Sequence, residues 1–221
     1  MSRGKLSQPS GPKRPYNSTR RRAQAGETRR QIAETASNLF RVRGYAGATM
    51  EAIAQEAGVA PETVYAIFGN KRTILEYLVS LSVGGDDKAI PLLQRPGPQM
   101  VFQEPDPVRQ IELFAQDITG ILERVAPVFE TMRLAAKTEP DIAALLKNLL
   151  EQRLHNMGLF VQSLSGHSPL REGLEPARAA EIVWTVTSPE VYNLLIVDRG
   201  WQRAQYIQWL ADTLTRLLLP P

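Results

Sequence analysis

The sequence predicts an all-α fold, and three observations lead to that prediction. Apolar residues recur about every 3.6 residues, the spacing of one helix face, over most of the chain. No convincing run of alternating apolar and polar residues indicates a strand. Proline or glycine stands near the ends of most periodic segments, as is typical of helix boundaries. We therefore expect an N-terminal unit of three helices followed by a C-terminal helical bundle.

The composition is that of a globular chain and excludes several kinds of site. The 221 residues are 43% hydrophobic and 22% charged. There is no cysteine, which excludes structural disulfides and thiolate nucleophiles or metal ligands. No apolar run approaches the roughly 20 residues that span a bilayer, and the basic N-terminus lacks the apolar stretch of a secretory signal. We expect no membrane partner and a cytoplasmic location.

Charge is distributed unevenly along the chain. Residues 1–80 hold 13 Lys/Arg and 6 Asp/Glu, a net charge of +7, whereas residues 81–221 hold 13 Lys/Arg and 17 Asp/Glu, a net charge of −4. A basic half predicts an anionic partner, either nucleic acid or an anionic membrane surface. Residues 1–25 carry seven of the basic residues and no acidic one. Because this composition cannot bury a core, we predict a disordered basic arm there.

Four helices are predicted in the basic half after the arm. Residues 27–43 form the first, because apolar side chains recur there at helical spacing. Residues 50–57 and 61–68 form two helices of about two turns each. Residues 71–82 restart a helix after Asn70, which is a good N-cap.

The remainder is predicted to be a connection followed by helices. Residues 84–107 are rich in proline and glycine and are interpreted mainly as a connection. Helical apolar patterns with nearby Pro or Gly then indicate helices over 107–122, 124–138, 140–164, 176–197 and 202–219.

The two short helices need support from the rest of the chain. A helix of two turns is marginal alone, because nucleation costs more than a few hydrogen bonds return. Ile53 and Ala57 of one helix and Val64 and Phe68 of the other would complete a small core with the first helix. Gly58 suits the turn between them, since it adopts a left-handed conformation without a Cβ penalty. This arrangement predicts a helix-turn-helix unit, whose second helix enters the DNA major groove.

A helix-turn-helix unit would turn the outward side of residues 61–68 to DNA. Thr63 and Tyr65 can reach phosphates or base edges, and Lys71 is placed for a phosphate. Arginines of the basic arm can follow the backbone or enter the minor groove. The predicted DNA-binding residues are Thr49, Ala60, Pro61, Glu62, Thr63, Tyr65, Ala66 and Lys71, with Arg20, Arg21 and Arg22 from the arm. The alternatives are three helices that merely pack together and an arm that only aids solubility.

Apolar and aromatic side chains of the C-terminal bundle either pack as core or line a ligand cavity. The predicted ligand-binding residues are Phe114, Ile118, Phe129, Met132, Met157, Phe160, Trp184 and Tyr192. Such a cavity favours a hydrophobic or aromatic small molecule.

The last segment, residues 176–219, is apolar on more than one helix face. Such helices predict a subunit interface of four helices, two from each subunit. The predicted interface residues are Val191, Leu194, Leu195, Tyr206, Trp209, Leu210, Leu214 and Leu217. The alternative is burial of these side chains within one subunit.

One stretch carries a specific family pattern. Residues 39–75 read LFRVRGYAGATMEAIAQEAGVAPETVYAIFGNKRTIL, with Gly44, Thr49, Gly58 and Tyr65 among the matching positions. This stretch closely resembles the DNA-binding domain of the TetR family of bacterial transcriptional regulators. Ala60 departs from the family pattern, which usually has Ser or Thr as the cap of the recognition helix. Ala66 and Ile67 also replace a pair that is frequently polar or aromatic in the family.

The resemblance implies a DNA-binding domain over residues 26–72 and a ligand-binding and dimerisation domain over residues 73–221. It further implies a homodimer that binds double-stranded DNA at a near-palindromic operator, and a small-molecule effector in the C-terminal domain whose binding releases this repressor or alters its DNA binding. No cofactor is implied. The alternative is a helical small-molecule-binding protein that binds DNA only non-specifically. A weaker alternative is a purely architectural protein.

An enzyme is not expected from this chain. Its two histidines, His155 and His167, lack the i, i+3 or i+4 spacing of a helical metal pair. The sequence has no G-x-S-x-G motif, no P-loop and no G-x-G-x-x-G motif.

Overall fold

The computed structural model describes residues 18–221, with side chains for residue 21 and residues 23–221. The described part is helical and contains no strand, which confirms the all-α fold. A 3-10 turn spans Leu92–Gln94, and a π turn spans Leu194–Asp198. The helices are α1 (Ser18–Gly47), α2 (Met50–Ala57), α3 (Pro61–Phe68), α4 (Lys71–Gly84), α5 (Pro96–Gln103), α6 (Pro107–Ala135), α7 (Pro140–His167), α8 (Pro176–Val186), α9 (Pro189–Asn193) and α10 (Arg203–Leu218).

Helix α1 begins earlier than the sequence pattern predicts. Residues 18–25 form its first turns, so the predicted disordered arm over 1–25 is wrong for them, while residues 1–17 lie outside the described residues. The described side chains of this extension, at residue 21 and residues 23–25, are exposed, and its sequence includes good helix formers such as arginine, glutamine and alanine. Composition alone does not separate such an exposed helix from a disordered tail. The regular helix ends at Gly44, as predicted, where φ is 71°.

Helices α1, α2 and α3 share one small core. Ile32 and Phe40 of α1 and Ile53 of α2 are almost fully buried, as are Val64 and Phe68 of α3. Gly58 turns the chain between α2 and α3 with a φ of 68°, the left-handed conformation expected for it. The two short helices are therefore held by α1, as the sequence predicts.

Helix α4 joins the two parts of the chain. Ile74 and Leu75 have no exposed surface, and Leu78 and Val79 are only 5% exposed. Helix α4 packs against α1, α3 and α6, and α1 also packs against α6. The predicted boundary between residues 72 and 73 therefore falls inside a continuous helix, and the buried apolar residues of both parts form one cluster.

Three element predictions differ from the structure at prolines. The predicted helices 107–122 and 124–138 are one helix, α6, which runs without a break from Pro107 to Ala135 and accommodates Pro127. Residues 176–197 are interrupted, because Pro189 lacks an N–H and starts a new helix, capped by Ser188. Within the predicted connection of residues 84–107, Pro96 opens the short helix α5.

Arg95 fixes the segment that follows α4. Its guanidinium donates hydrogen bonds to the carbonyl oxygens of Gly84 at 2.6 Å, Lys88 at 3.0 Å and Ile90 at 3.2 Å. It also lies 2.9 Å from the carboxylate of Asp86, and its side chain is only 13% exposed. The Arg95 guanidinium thus bonds the carbonyl group at the C-terminal end of α4 and holds the following segment against that end.

We predict that Arg95→Ala lowers the free energy of unfolding by about 1–3 kcal/mol, because the three carbonyl groups lose a charged donor. Urea unfolding followed by circular dichroism measures the change. The matched control is Arg109→Ala, which removes an exposed ion pair with Glu112 and should change the free energy by less than about 0.5 kcal/mol. Equal effects of the two variants would contradict the role given to Arg95.

Candidate nucleic-acid interface and ligand cavity

The turns around α2 and α3 are set by capping. The Thr49 hydroxyl accepts a hydrogen bond from the backbone N–H of Ala52 at 3.1 Å, so Thr49 caps α2. Ala60 occupies the capping position of α3 in an extended conformation but has no side-chain group to accept such a bond. Pro61 starts α3, where its missing N–H costs nothing.

Helix α3 has one buried and one exposed side. Val64 and Phe68 are buried, whereas Pro61, Glu62, Tyr65 and Ala66 are exposed and Thr63 is partly exposed. The residues predicted to face DNA therefore lie together on the outer surface of the second helix. Their contact with DNA stays a prediction.

Tyr65 is tied to α2 through a residue that the sequence analysis did not single out. Its hydroxyl donates a 2.9 Å hydrogen bond to the carboxylate of Glu51, which is exposed in the first turn of α2. This bond raises the pKa of the Tyr65 phenol. The pKa of Glu51 is lowered, first by a hydrogen bond from its own backbone N–H and then by the one from Tyr65. The pair fixes the Tyr65 ring across the two helices of the motif.

Lys71, which is predicted to contact a phosphate, also makes a contact within the protein. Its ammonium group donates to the carbonyl oxygen of Tyr45 at 2.7 Å and lies 4.5 Å from the centre of the Tyr45 ring. It therefore ties the start of α4 to the end of α1. A lysine has three donors, so this bond leaves two for a phosphate.

The predicted arginines of the arm lie at the start of α1. Arg21 is exposed there. The side chains of Arg20 and Arg22 lie outside the described residues, so their prediction stays untested.

A cavity of about 140 Å³ lies between α4, α6 and α7. Three predicted ligand-binding residues, Ile118, Phe129 and Met157, are among its walls. Phe114 and Phe160 stack with ring centres 3.9 Å apart and line an adjoining space of about 40 Å³. The cavity thus brings together residues from helices that are far apart in sequence.

The remaining predicted ligand residues lie elsewhere. Trp184 lines an open groove of about 770 Å³ between α7 and α8. Met132 and Tyr192 are buried and are not wall residues of these cavities, so their contact with a ligand stays a prediction. The sequence analysis missed Val79 and Val83 of α4 and Arg153 of α7, which do line the 140 Å³ cavity.

The predicted interface residues fall into two groups. Tyr206, Leu210 and Leu214 have no exposed surface within the single chain and pack in the protomer core, so their place in or near an interface stays a prediction. Their spacing puts them on the side of α10 that packs against α6. Exposed or partly exposed side chains remain at Val191, Leu194, Leu195, Trp209 and Leu217.

Two kinds of site are not found in the described part of the chain. No group of three His, Asp or Glu side chains among the described residues is arranged to hold a metal ion. His155 is exposed, and His167 lies 3.5 Å from the side chain of Gln110. None of the described helices combines the length and apolar character that a bilayer crossing requires.

We predict that Ala60→Ser raises the free energy of unfolding by about 1 kcal/mol, because a hydroxyl at this extended position can accept a backbone N–H of the first turn of α3. Thermal and urea unfolding measure the gain. Ala66→Ser is the matched control, since it places the same side chain in the middle of the same helix, where it should cost about 0.5 kcal/mol. Stabilisation by both variants would argue against a capping effect.

Comparison with known proteins agrees with this geometry. Residues 32–78 match the model of the family described as bacterial regulatory proteins, tetR family. Over 145 residues the chain is 28% identical to the HTH-type transcriptional repressor BepR of Brucella suis biovar 1 (strain 1330), an alignment that covers 64% of this chain and 66% of BepR.

Solved structures share the fold at low identity. A TetR-family transcriptional-regulator structure from Mesorhizobium loti MAFF303099 has a TM-score of 0.65 at 18% identity, covering 88% of this chain and 98% of that one. The fatty acid degradation regulator FadR from Bacillus halodurans has a TM-score of 0.64 at 17% identity, covering 86% and 95%. Residues 32–78 thus match the TetR family model, and the helical fold of the chain is shared with a solved structure of a TetR-family transcriptional regulator.

Proposed function

We propose that this chain is a TetR-family regulator that acts as a homodimeric repressor at a near-palindromic operator. A small molecule that binds in the cavity between α4, α6 and α7 releases the repressor from this operator. The observation that carries the proposal is the position of α4. Its first residue, Lys71, bonds to the end of α1 beside the helix-turn-helix unit. Val79 and Val83, two and three turns further on, line the cavity. One rigid helix thus contacts both proposed sites.

The outer side of α3 has the chemistry of a DNA-reading surface. Tyr65 and Thr63 supply hydroxyl groups, and Ala66 supplies a small apolar surface that can contact a thymine methyl group. Helix α3 is only eight residues long, a length that fits within a major groove. The net charge of +7 over residues 1–80 supports binding to the phosphate backbone.

The packing around α4 supports release by a ligand. A molecule in the cavity touches Val79 and Val83, so a larger occupant displaces the second half of α4 relative to α6. Arg124 of α6 donates to the carbonyl oxygen of Ser82 at 2.9 Å, a bond that joins this part of α4 to α6 and that such a displacement would lengthen. A shift of α4 would therefore change the position of α3, since the two helices are joined by a short turn at Gly69 and Asn70.

An exposed apolar surface supports the homodimer. Leu194 is 57% exposed and Val197 is 67% exposed, one turn apart in the π turn after α9. Trp201 and Trp209, which follow this turn in the sequence, are partly exposed, and the centres of their rings lie 6.0 Å apart. Two-fold association through this surface would present two α3 helices to the two halves of a palindrome.

We predict that the protein selects a few fragments that share an inverted repeat when it is mixed with sheared DNA of its source organism at about 150 mM salt. On the selected site, Tyr65→Ala should weaken binding at least about tenfold, because each subunit loses a base or phosphate contact. Fluorescence anisotropy measures the affinity. Met100→Ala, an exposed residue of α5, is the matched control and should bind as the unaltered protein does.

Uniform recovery of all fragments would contradict a specific operator. It would instead support a helical small-molecule-binding protein whose basic half binds DNA only through the backbone.

We predict that Leu194→Asp combined with Val197→Asp converts a dimer to a monomer, because two carboxylates would be desolvated in the interface of each subunit. Light scattering after size-exclusion chromatography should change from about twice the chain mass of 24.6 kDa to that mass. The control is Val42→Asp in α1, which is 76% exposed and should leave the dimer intact. A dimer that survives the double substitution would place the interface elsewhere.

A further inference from the structure

One cation lines the apolar cavity between α4, α6 and α7. Arg153 of α7 is a wall residue of this space of about 140 Å³. Eleven of the other wall residues are apolar, and the remaining two, Gln152 and Asn156, are neutral amides. All three polar residues belong to α7, so the cavity has one polar side, no acidic wall residue, and otherwise apolar walls.

Arg153 has a structural role that uses one of its nitrogen atoms. Its Nη2 donates to the carbonyl oxygen of Trp184 at 2.6 Å and to the hydroxyl of Thr187 at 2.7 Å. The guanidinium also lies 5.2 Å from the centre of the Trp184 ring. These contacts hold the C-terminal end of α8 against α7, and they do not involve the Nη1 group.

The Nη1 atom of Arg153 is buried and has no hydrogen-bond partner among the described residues. No carboxylate in the described part of the chain lies within 4 Å of this guanidinium, and the nearby Glu190 is paired with Arg133 instead. Burial lowers the pKa of Arg153 to about 10, so the group is still charged at neutral pH. An unpaired cation against apolar walls is unfavourable, and an anion with hydrogen-bond acceptors would relieve that cost.

We propose that the cavity binds an organic monocarboxylate, whose carboxylate pairs with Arg153 and whose apolar body lies between α4 and α6. The proposal rests on the proposed function, because it names the chemical class of the effector for the same cavity. A carboxylate matches the planar guanidinium group, which can donate from more than one nitrogen. The amides of Gln152 and Asn156 are further donors on the same side.

The space limits the size of the apolar body. A cavity of about 140 Å³ holds a group of roughly the size of benzene. The adjoining space of about 40 Å³ shares Ile118 and Met157 with it, and an open groove of about 350 Å³ shares Val79 and Val83. A short chain thus fits as the walls stand, and a longer one can extend towards either neighbour.

The test is a calorimetric titration of the whole protein with straight-chain carboxylates from butyrate to octanoate and with the amide of each chain length. Ionic strength and pH are held constant. The tightest carboxylate should bind about tenfold or more tightly than its amide, because only the carboxylate makes a charge-assisted bond to Arg153. In Arg153→Met the ratio should fall to about one.

Thr187→Val separates anion binding from the bracing of α8. It removes one hydrogen bond of Arg153 and keeps the charge, so the preference for the carboxylate should persist. The proposal is overturned if no carboxylate binds, if carboxylate and amide bind equally, or if Thr187→Val loses the preference as Arg153→Met does. If carboxylates bind but no operator is selected, only the proposed function as a DNA-binding repressor is overturned. If an operator is selected but no carboxylate binds, only the proposed chemical class of the effector is overturned.

Discussion

The N-terminal unit depends on the burial of two very short helices against a long one. Helices α2 and α3 have eight residues each, too few to be stable in isolation. Ile53 and Val64 have no exposed surface, and the hydrophobic gain of burying such side chains, about 1.5–3 kcal/mol each, offsets the cost of ordering the turns. Because the inner sides carry the stability, the outer side of α3 is free to bear hydroxyl groups and small residues.

Continuity of the core through α4 links that unit to the bundle. A flexible linker would let the helix-turn-helix unit move independently of the cavity. Here Ile74 and Leu75 are fully buried, and Val79 is both a core residue and a wall of the cavity. Close-packed interiors transmit a displacement instead of absorbing it, which is the physical requirement for coupling the two proposed sites.

The sequence predicts those features that depend on periodicity and on special backbone positions. Gly44 and Gly58 mark their turns because left-handed backbone favours glycine, and the exposed position of Tyr65 follows from helical spacing. The early start of α1 is not predictable in this way, since an exposed helix has no apolar period. Pro127 within α6 likewise gives no signal that separates a broken helix from a continuous one.

Contacts between distant segments account for the rest of what the sequence did not predict. The sequence of α7 alone does not distinguish Arg153 from an arginine that faces solvent. Its position in the cavity wall depends on the packing of α4 and α6 against α7. Glu51 is 14 residues from Tyr65, and no periodic pattern connects them. Tyr206 illustrates the opposite case, because a side chain that is apolar enough for an interface is equally suited to the core in which it lies.

The hydrogen bonds of Arg95 limit which substitutions can be tolerated at the end of α4. All three go to main-chain carbonyl groups, so the side chains at positions 88 and 90 can change in evolution without breaking these bonds. Position 84 is different, because a Cβ atom there would lie 2.6 Å from the Arg95 guanidinium. Gly84 and Arg95 should therefore be inherited as a unit, and a lineage that replaces one of them would have to find another way to close the end of α4.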